Sequence, residues 1–399
     1  MNSSLLSKTI YVGLDNKLTT IREAVLLANK NDTILVKNGI YKESKIYIKK
    51  PIHVVGQDFP IIDGENKVEN LFIVEADGSS ISGLRFTNVA LSYTKEVAGI
   101  FISSCDNFIL KDNYFENVFY GLIIQDSNYG VIQNNKIIGQ ALDEVSSGNG
   151  IHIWKSSNIR VEKNEIRSMR DGIYLEFVGG SFVSNNYCED NIRYGLHFMF
   201  SDNNEYYQNE FKNNGAGVAV MFSKFIKIYH NIFHFNWGTS SYGLLLKEIN
   251  DLEIRDNLFQ QNTIGLKIDG CNRVNYSHNS FIGNGWAIRF TGGCYDNLFE
   301  YNSFINNAFD VSYNSSLNNN LFQTNYWSEY NGYDLNKDGI GDVPYRPVKL
   351  FSYIVNKVPE ALVLLRSLFI DVVNFSEKVS PVFTPENLMD RKPLMSSIK

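Results

Sequence analysis

The sequence predicts an all-β chain wound into a right-handed parallel β-helix, a solenoid with coils of about 22 residues, with an N-terminal helical cap before it and a C-terminal helical segment after it. Three observations carry that prediction. A short bend motif recurs in DNYFEN, NNKIIG, KNEIRS and six further segments, and its shared asparagines run from Asn113, Asn135 and Asn164 to Asn279 and Asn302. They stand 22 or 23 residues apart, except for one gap of 29 and one of 26. A column of glycines from Gly99, Gly121 and Gly150 to Gly265 keeps step with them and lengthens at the same two places. After each glycine the residues alternate apolar and mixed, the period of a strand with one buried face.

Each element follows from this pattern. Residues 1–50 are expected to hold a first strand and a capping helix: Thr19-Thr20 offers an N-cap ahead of IREAVLLANKND, whose apolar residues recur at helical spacing. Residues 51–326 are expected to be the β-helix. Its equivalent residues form ladders, with asparagines hydrogen-bonding each other at the bend and the residues two further on, such as Phe115, Ile137 and Phe211, stacked inside. Residues 327–399 are expected to form a C-terminal loop and helical extension, with VPEALVLLRSLFIDVVNFSEKV covering the last coil or docking on a partner. Glu360, Arg366 and Asp371 interrupt its apolar run, which excludes a membrane span.

Composition narrows the function. The net charge is −6 and no Lys/Arg run is present, which argues against nucleic acid as a partner. Four cysteines without a CxxC pair make neither a disulfide framework nor a zinc motif, although Cys271 and Cys294, 23 residues apart, could meet as a disulfide on adjacent coils. The N-terminus shows neither the basic region nor the apolar region of a secretory signal.

The candidate site comes from strand parity. One and three positions after each glycine lie residues such as Ile151, Ile153, Leu196 and Phe198, which belong inside. Positions two and four are then expected to face solvent. The second position reads Ile123, His152, Tyr174, His197; the fourth reads Gln125, Trp154, Glu176, Met199, Met221. His152, Glu176, His197, Met199 and Met221 are therefore expected to share an exposed face, walled by the longer loops 141–149 and 236–241. Imidazole and thioether with few acids and no thiolate suit a soft ion, Cu(I) above all, and Trp154 could shield it by its ring face. The competing reading is a docking surface, since Met and aromatics are enriched at interfaces.

His230, His234 and His278 sit at the bend, where capping turn groups is their expected role. The segment DLNKDGIGD spaces Asp334, Asn336, Asp338, Ile340 and Asp342 like the start of a calcium loop, but Tyr345 stands where the bidentate glutamate belongs. Bound Ca²⁺ and an Asx-stabilised turn remain the two readings. A glycosidase would need two carboxylates across a cleft, and the outward columns offer only Glu176 before Asp269, so a carbohydrate-active protein is the less favoured alternative.

RYGLHFMFSDNN, DGIYLEFVGG, GVAVMFS, NYWSEYNGYDLNKDGIGDVPYRP and the tail RKPLM together resemble the NosD family, periplasmic copper-binding accessory proteins of nitrous oxide reductase maturation, in order along nearly the whole chain. The resemblance implies a non-enzymatic metallochaperone of denitrification in the periplasm, its export signal removed. It would act with the ATPase and membrane subunits of an ABC transporter and with a copper-binding lipoprotein, supplying copper to nitrous oxide reductase. The chain would then be peripheral to the membrane through its partner, with the C-terminal segment and KPLM tail as candidates for gripping the membrane subunit. The assignment of His197, Met199, Met221, Glu176 and His152 to copper rests on the ladder, not on the resemblance.

Overall fold

A computed structural model describes residues 7–92, 94–313, 317–364, 367–379 and 388–398. The chain forms two compact units, Met1–Glu205 and Tyr206–Lys399, and both are parallel β-solenoids. In the first, one coil runs through Tyr120–Gln125, Val131–Gln133 and Lys136–Ile138, and the next through Ile151–Trp154, Arg160–Glu162 and Glu165–Arg167. Leu122 pairs with Ile151, Ile132 with Val161 and Ile137 with Ile166, so each coil lays one strand on each of three sheets. The same pairing recurs in the second unit, where Leu246 meets Ile268, Ile254 meets Tyr276 and Phe259 meets Phe281.

The ladder asparagines explain why the bends stack. Asn113 Nδ2 donates to Asn135 Oδ1 at 3.1 Å, Asn135 to Asn164 at 3.0 Å and Asn164 to Asn186 at 3.0 Å. The residue before each one, Asp112, Asn134, Lys163 and Asn185 in this stretch, has positive φ, which sets the turn. The second unit carries a further column absent from the sequence reading: Asn236 donates to Asn262 at 2.9 Å, and Asn262 to Asn284 and Asn284 to Asn307 at 3.1 Å each. Inside, Phe233, Phe259, Phe281 and Phe304 stack at 4.7 to 5.0 Å, the rung spacing of the coils.

Coil strands begin earlier than residue 51, because Thr9–Val12 pairs with Thr33–Val36 and that strand with His53–Gly56. Helix α1, Ile21–Leu27, lies between the first two, capped by the Thr20 hydroxyl accepting from the Glu23 amide at 3.3 Å. It buries Ile21, Ala24 and Val25.

At the far end, the single helix expected over 358–379 is instead a 3₁₀ turn, Pro359–Leu364, and helix α3, Leu368–Val379; Arg366 lies outside the described residues. Helix α2, Leu350–Lys357, precedes them, and its Phe351 and Val355 pack with Phe309 and with Ile370 of α3. The tail turns back on the second unit. Asp390 Oδ2 accepts from the Asn325 backbone amide at 3.0 Å, from its side-chain amide at 3.2 Å and from Trp327 Nε1 at 3.1 Å. A carboxylate only accepts, so Asp390 ends an asparagine ladder that would otherwise call for another asparagine. All four cysteines are buried, and Cys271 and Cys294 do not join as a disulfide. Among the described residues no helix is long and apolar enough to cross a membrane.

Candidate functional site

Strands Tyr120–Gln125, Ile151–Trp154, Asp171–Glu176 and Tyr194–Met199 lie side by side in the first unit. Their register places Ile123, His152, Tyr174 and His197 in one column and Gln125, Trp154, Glu176 and Met199 in the next. Ile151, Ile153, Ile173, Leu175, Leu196 and Phe198, the alternate residues, are sealed in the core. The parity read from the sequence therefore holds.

Exposure does not follow from it. His152 is only 9% exposed and His197 only 6%, so these imidazoles do not face open solvent as expected. The cause is a ladder of rings. Tyr120 and His152 centroids are 5.7 Å apart, His152 and Tyr174 4.8 Å, Tyr174 and His197 4.9 Å, and His197 and Tyr194 4.8 Å. Tyr120 and Tyr194 come from the position before the column glycine, which the sequence reading passed over. A Cβ on Gly121 would lie 3.0 Å from Ile137 inside the coil, so the glycine faces inward and its predecessor outward. That extra outward position delivers Tyr120, Asn149, Asp171 and Tyr194, and it was legible as a column of large polar and aromatic residues.

Asp171 is the charged centre of this column. It is fully buried; Arg193 donates from Nε to Oδ1 at 2.8 Å and also from Nη2 to Oδ2. Its Oδ2 lies 3.7 Å from His197 Nδ1. Burial alone would raise its pKa, but Arg193 and His197 hold the carboxyl below the usual range. Burial, then the Arg170 guanidinium, pushes His152 down to about 4, so it is neutral at physiological pH. Arg170 itself donates to Asn149 Oδ1 at 3.2 Å. Tyr174, raised by burial and by Glu176, donates towards Glu176 Oε2 at 3.2 Å and Met199 Sδ at 3.9 Å, tying the two columns together.

Three ring nitrogens are left over. His152 Nδ1 and both nitrogens of His197 are buried and have no hydrogen-bond partner among the described residues. Buried polar atoms in native proteins are nearly always paired, so such orphans call for a role. A neutral imidazole with an unused lone pair is a metal ligand in waiting. Among the described residues no group of three or more His, Cys, Asp or Glu side chains could hold a metal ion, so a soft cation here would depend on imidazole and the half-buried Met199 thioether.

The other expected members are placed differently. Glu176 is half-buried in the Met199 column. Trp154 carries the Lys155 ammonium 4.2 Å from its ring centroid, so the surface expected to shield copper already meets a cation. Met221 ends the strand Ala216–Met221 of the second unit, where its backbone neighbour is Lys247. His234 Nε2 lies 2.9 Å from Glu210, His278 stacks on Tyr301, and His230 and His278 both occupy the positive-φ turn position.

In the acidic loop the carboxylates serve the loop's own backbone. Asp334 accepts from the amides of Lys337, Asp338 and Gly339, Asp338 from Ile340 at 2.8 Å, and Asp342 from Leu335 at 2.7 Å. Asn336 Oδ1 accepts from the Asp338 amide at 3.2 Å. This is the geometry of consecutive Asx turns, the structural alternative to bound Ca²⁺.

Fold and site together define a parallel β-solenoid whose outer face bears a buried tyrosine–imidazole ladder edged by a thioether. The chain belongs to the NosD family, whose model, described as periplasmic copper-binding protein, matches residues 25–142 and 137–333. Two curated relatives are each called probable ABC transporter binding protein NosD. The one from Stutzerimonas stutzeri is 26% identical over 88% of this chain and 84% of its own length, and the one from Pseudomonas aeruginosa is 26% identical over 87% and 85%. Solved structures share the fold. The family 28 exopolygalacturonase of Yersinia enterocolitica superposes with a TM-score of 0.58 at 11% identity, covering 79% of this chain and 78% of that one. The Dettilon tailspike protein gives 0.56 at 13%, covering 80% and 67%.

Proposed function

We propose that this chain is a non-catalytic copper-handling protein that receives Cu(I) and presents it for assembly of the metal centres of nitrous oxide reductase. It works with the ATPase and membrane subunits of an ABC transporter and with a copper-binding lipoprotein. Family membership supports the copper and the periplasm, and the printed description of the relatives supports the transporter. The observation that carries the site is the set of orphaned ring nitrogens on His152 and His197 beside Met199. His197 and Met199 are the central pair, with Glu176 on the adjoining rung and His152 one rung further along the same sheet. Copper is cargo, so moderate affinity and release serve better than a closed cage.

Titration of Cu(I) against a competing chelator tests this. The wild-type chain should bind about one equivalent, and Met199→Ala and His197→Phe should each weaken binding by at least about tenfold; equal affinity in all three would remove this face as the copper site.

A second reading has one observation in its favour. Phe177 and Phe200, 49% and 43% exposed, stack at 5.3 Å on neighbouring rungs beside Glu176 and Met199, both with positive φ. Bulky side chains are uncommon in that conformation, and here they present ring faces to solvent. On this reading the face is a protein-docking scaffold, and Phe177→Asn with Phe200→Asn would abolish partner binding while copper affinity stayed unchanged.

A further inference from the structure

Resting on the copper reading of His197, we propose that Asp171 is a positioning residue: it holds the Nδ1 proton of His197 and so leaves the Nε2 lone pair as the donor offered to a soft cation. The juxtaposition is specific. Asp171 comes from the position before the column glycine and His197 from two after the next one, one rung up, and they meet with Oδ2 and Nδ1 at 3.7 Å. That is beyond a hydrogen bond, and a small rotation of the ring closes it.

Asp171 cannot move to meet the ring. Both its oxygens are held by the Arg193 fork, and its side chain is wholly buried. The carboxylate is thus a fixed negative site beside Nδ1. A neutral imidazole places its one N–H on one nitrogen and a lone pair on the other. A lone pair on Nδ1 would face a carboxylate oxygen, whereas an N–H there is attracted to it, so the field of Asp171 selects the Nδ1–H form. Nε2, buried with no partner among the described residues, then carries the free pair. Carboxylates that orient ligand histidines in this way fix the tautomer and raise the basicity of the ligating nitrogen. Arg193 neutralises Asp171 enough to keep it buried, and its bidentate grip supplies the rigidity.

The tautomer can be read without metal. Nitrogen-15 NMR of the full chain, with the His197 signals assigned by their loss in His197→Gln, should show a protonated Nδ1 and an unprotonated Nε2 in the copper-free wild type. Asp171→Asn should shift the population towards the Nε2–H form that free imidazole prefers, and should weaken Cu(I) binding by about 10 to 100-fold. An Nε2–H tautomer in the wild type, or the same tautomer and the same affinity in Asp171→Asn, would overturn the inference. Should Asp171→Asn not fold, the wild-type spectrum decides alone. Failure of the wild type to bind Cu(I) would sink the copper reading while the tautomer measurement still judged the role of Asp171.

Discussion

Two ladders climb the first unit, and they differ in how their polar atoms are used. At the bend, Asn164 accepts from the Asn135 backbone amide at 2.9 Å and from its side chain at 3.0 Å, and donates to Ile132 O at 2.9 Å and to Asn186 Oδ1 at 3.0 Å. On the outer sheet, His152 and His197 pack edge-on against Tyr174 at 4.8 and 4.9 Å, yet three of their ring nitrogens have no hydrogen-bond partner among the described residues. The asparagines are a closed account of donors and acceptors, and such closure is what a structural repeat needs. The imidazoles occupy slots that a phenyl ring would fill, while keeping polar atoms that the fold does not use. A satisfied periodicity marks architecture; an unsatisfied one marks where a ligand can be received.

The strongest way to break this comparison is at the bend. Asn164→Ala removes the acceptor for two buried donors of Asn135 and the donor for Ile132 O and Asn186. At about 1 to 3 kcal/mol for each stranded group, partly relieved by local relaxation, the loss should be roughly 3 to 5 kcal/mol. Urea unfolding monitored by circular dichroism reads it directly; a loss below about 1 kcal/mol would mean that the ladder is not what holds the bends in register.

Acid offers a second contrast, because asparagine does not titrate and His152 does. Its pKa falls from 6.5 to about 4 on folding, through burial and then Arg170. The unfolded chain therefore takes up a proton first as pH drops. Stability from this group is fully present above about pH 6.5 and is lost as pH falls towards 4, by about 3 kcal/mol in total. His152→Phe, which keeps a ring in the stack, should flatten that part of the stability curve between pH 6.5 and 4, and an unchanged curve would show that the imidazole is solvated or paired in the folded state.

Much of this arrangement was legible in residue spacing. Glycine and asparagine columns at 22 or 23 residues fix the coil, and strand alternation fixes which side chains point outward, because both are local and periodic. What alternation cannot show is cover. His197 points outward and is nonetheless buried, since Tyr194 and Tyr174 flank it, and Tyr194 enters the face only because the chain turns at Gly195. Asp171 and Arg193 were missed for the same reason, being at the bend where the period of two breaks. The path of the tail was not legible: KPLM, a candidate for gripping a membrane subunit, runs back along the second unit, where the Leu394 amide donates to Asn325 O at 2.9 Å and Asp390 terminates a ladder. Contacts that join residue 325 to residue 390 have no periodic signal.

The smallest expected effect is the most discriminating. His197→Phe retains a planar ring between Tyr174 and Tyr194, removes two buried nitrogens that have no partner among the described residues, and gives up only the 3.7 Å approach to Asp171. Replacing an unsatisfied polar group by an apolar one of the same shape is close to neutral or stabilising, so the change in unfolding free energy should stay within about 1 kcal/mol. Cu(I) binding should fall sharply in the same variant. Stability retained with binding lost would separate the imidazole ladder from the asparagine ladder as function from scaffold. A loss as large as that of Asn164→Ala would instead make His197 part of the scaffold, because a ring that the fold cannot spare is not one set aside for a ligand.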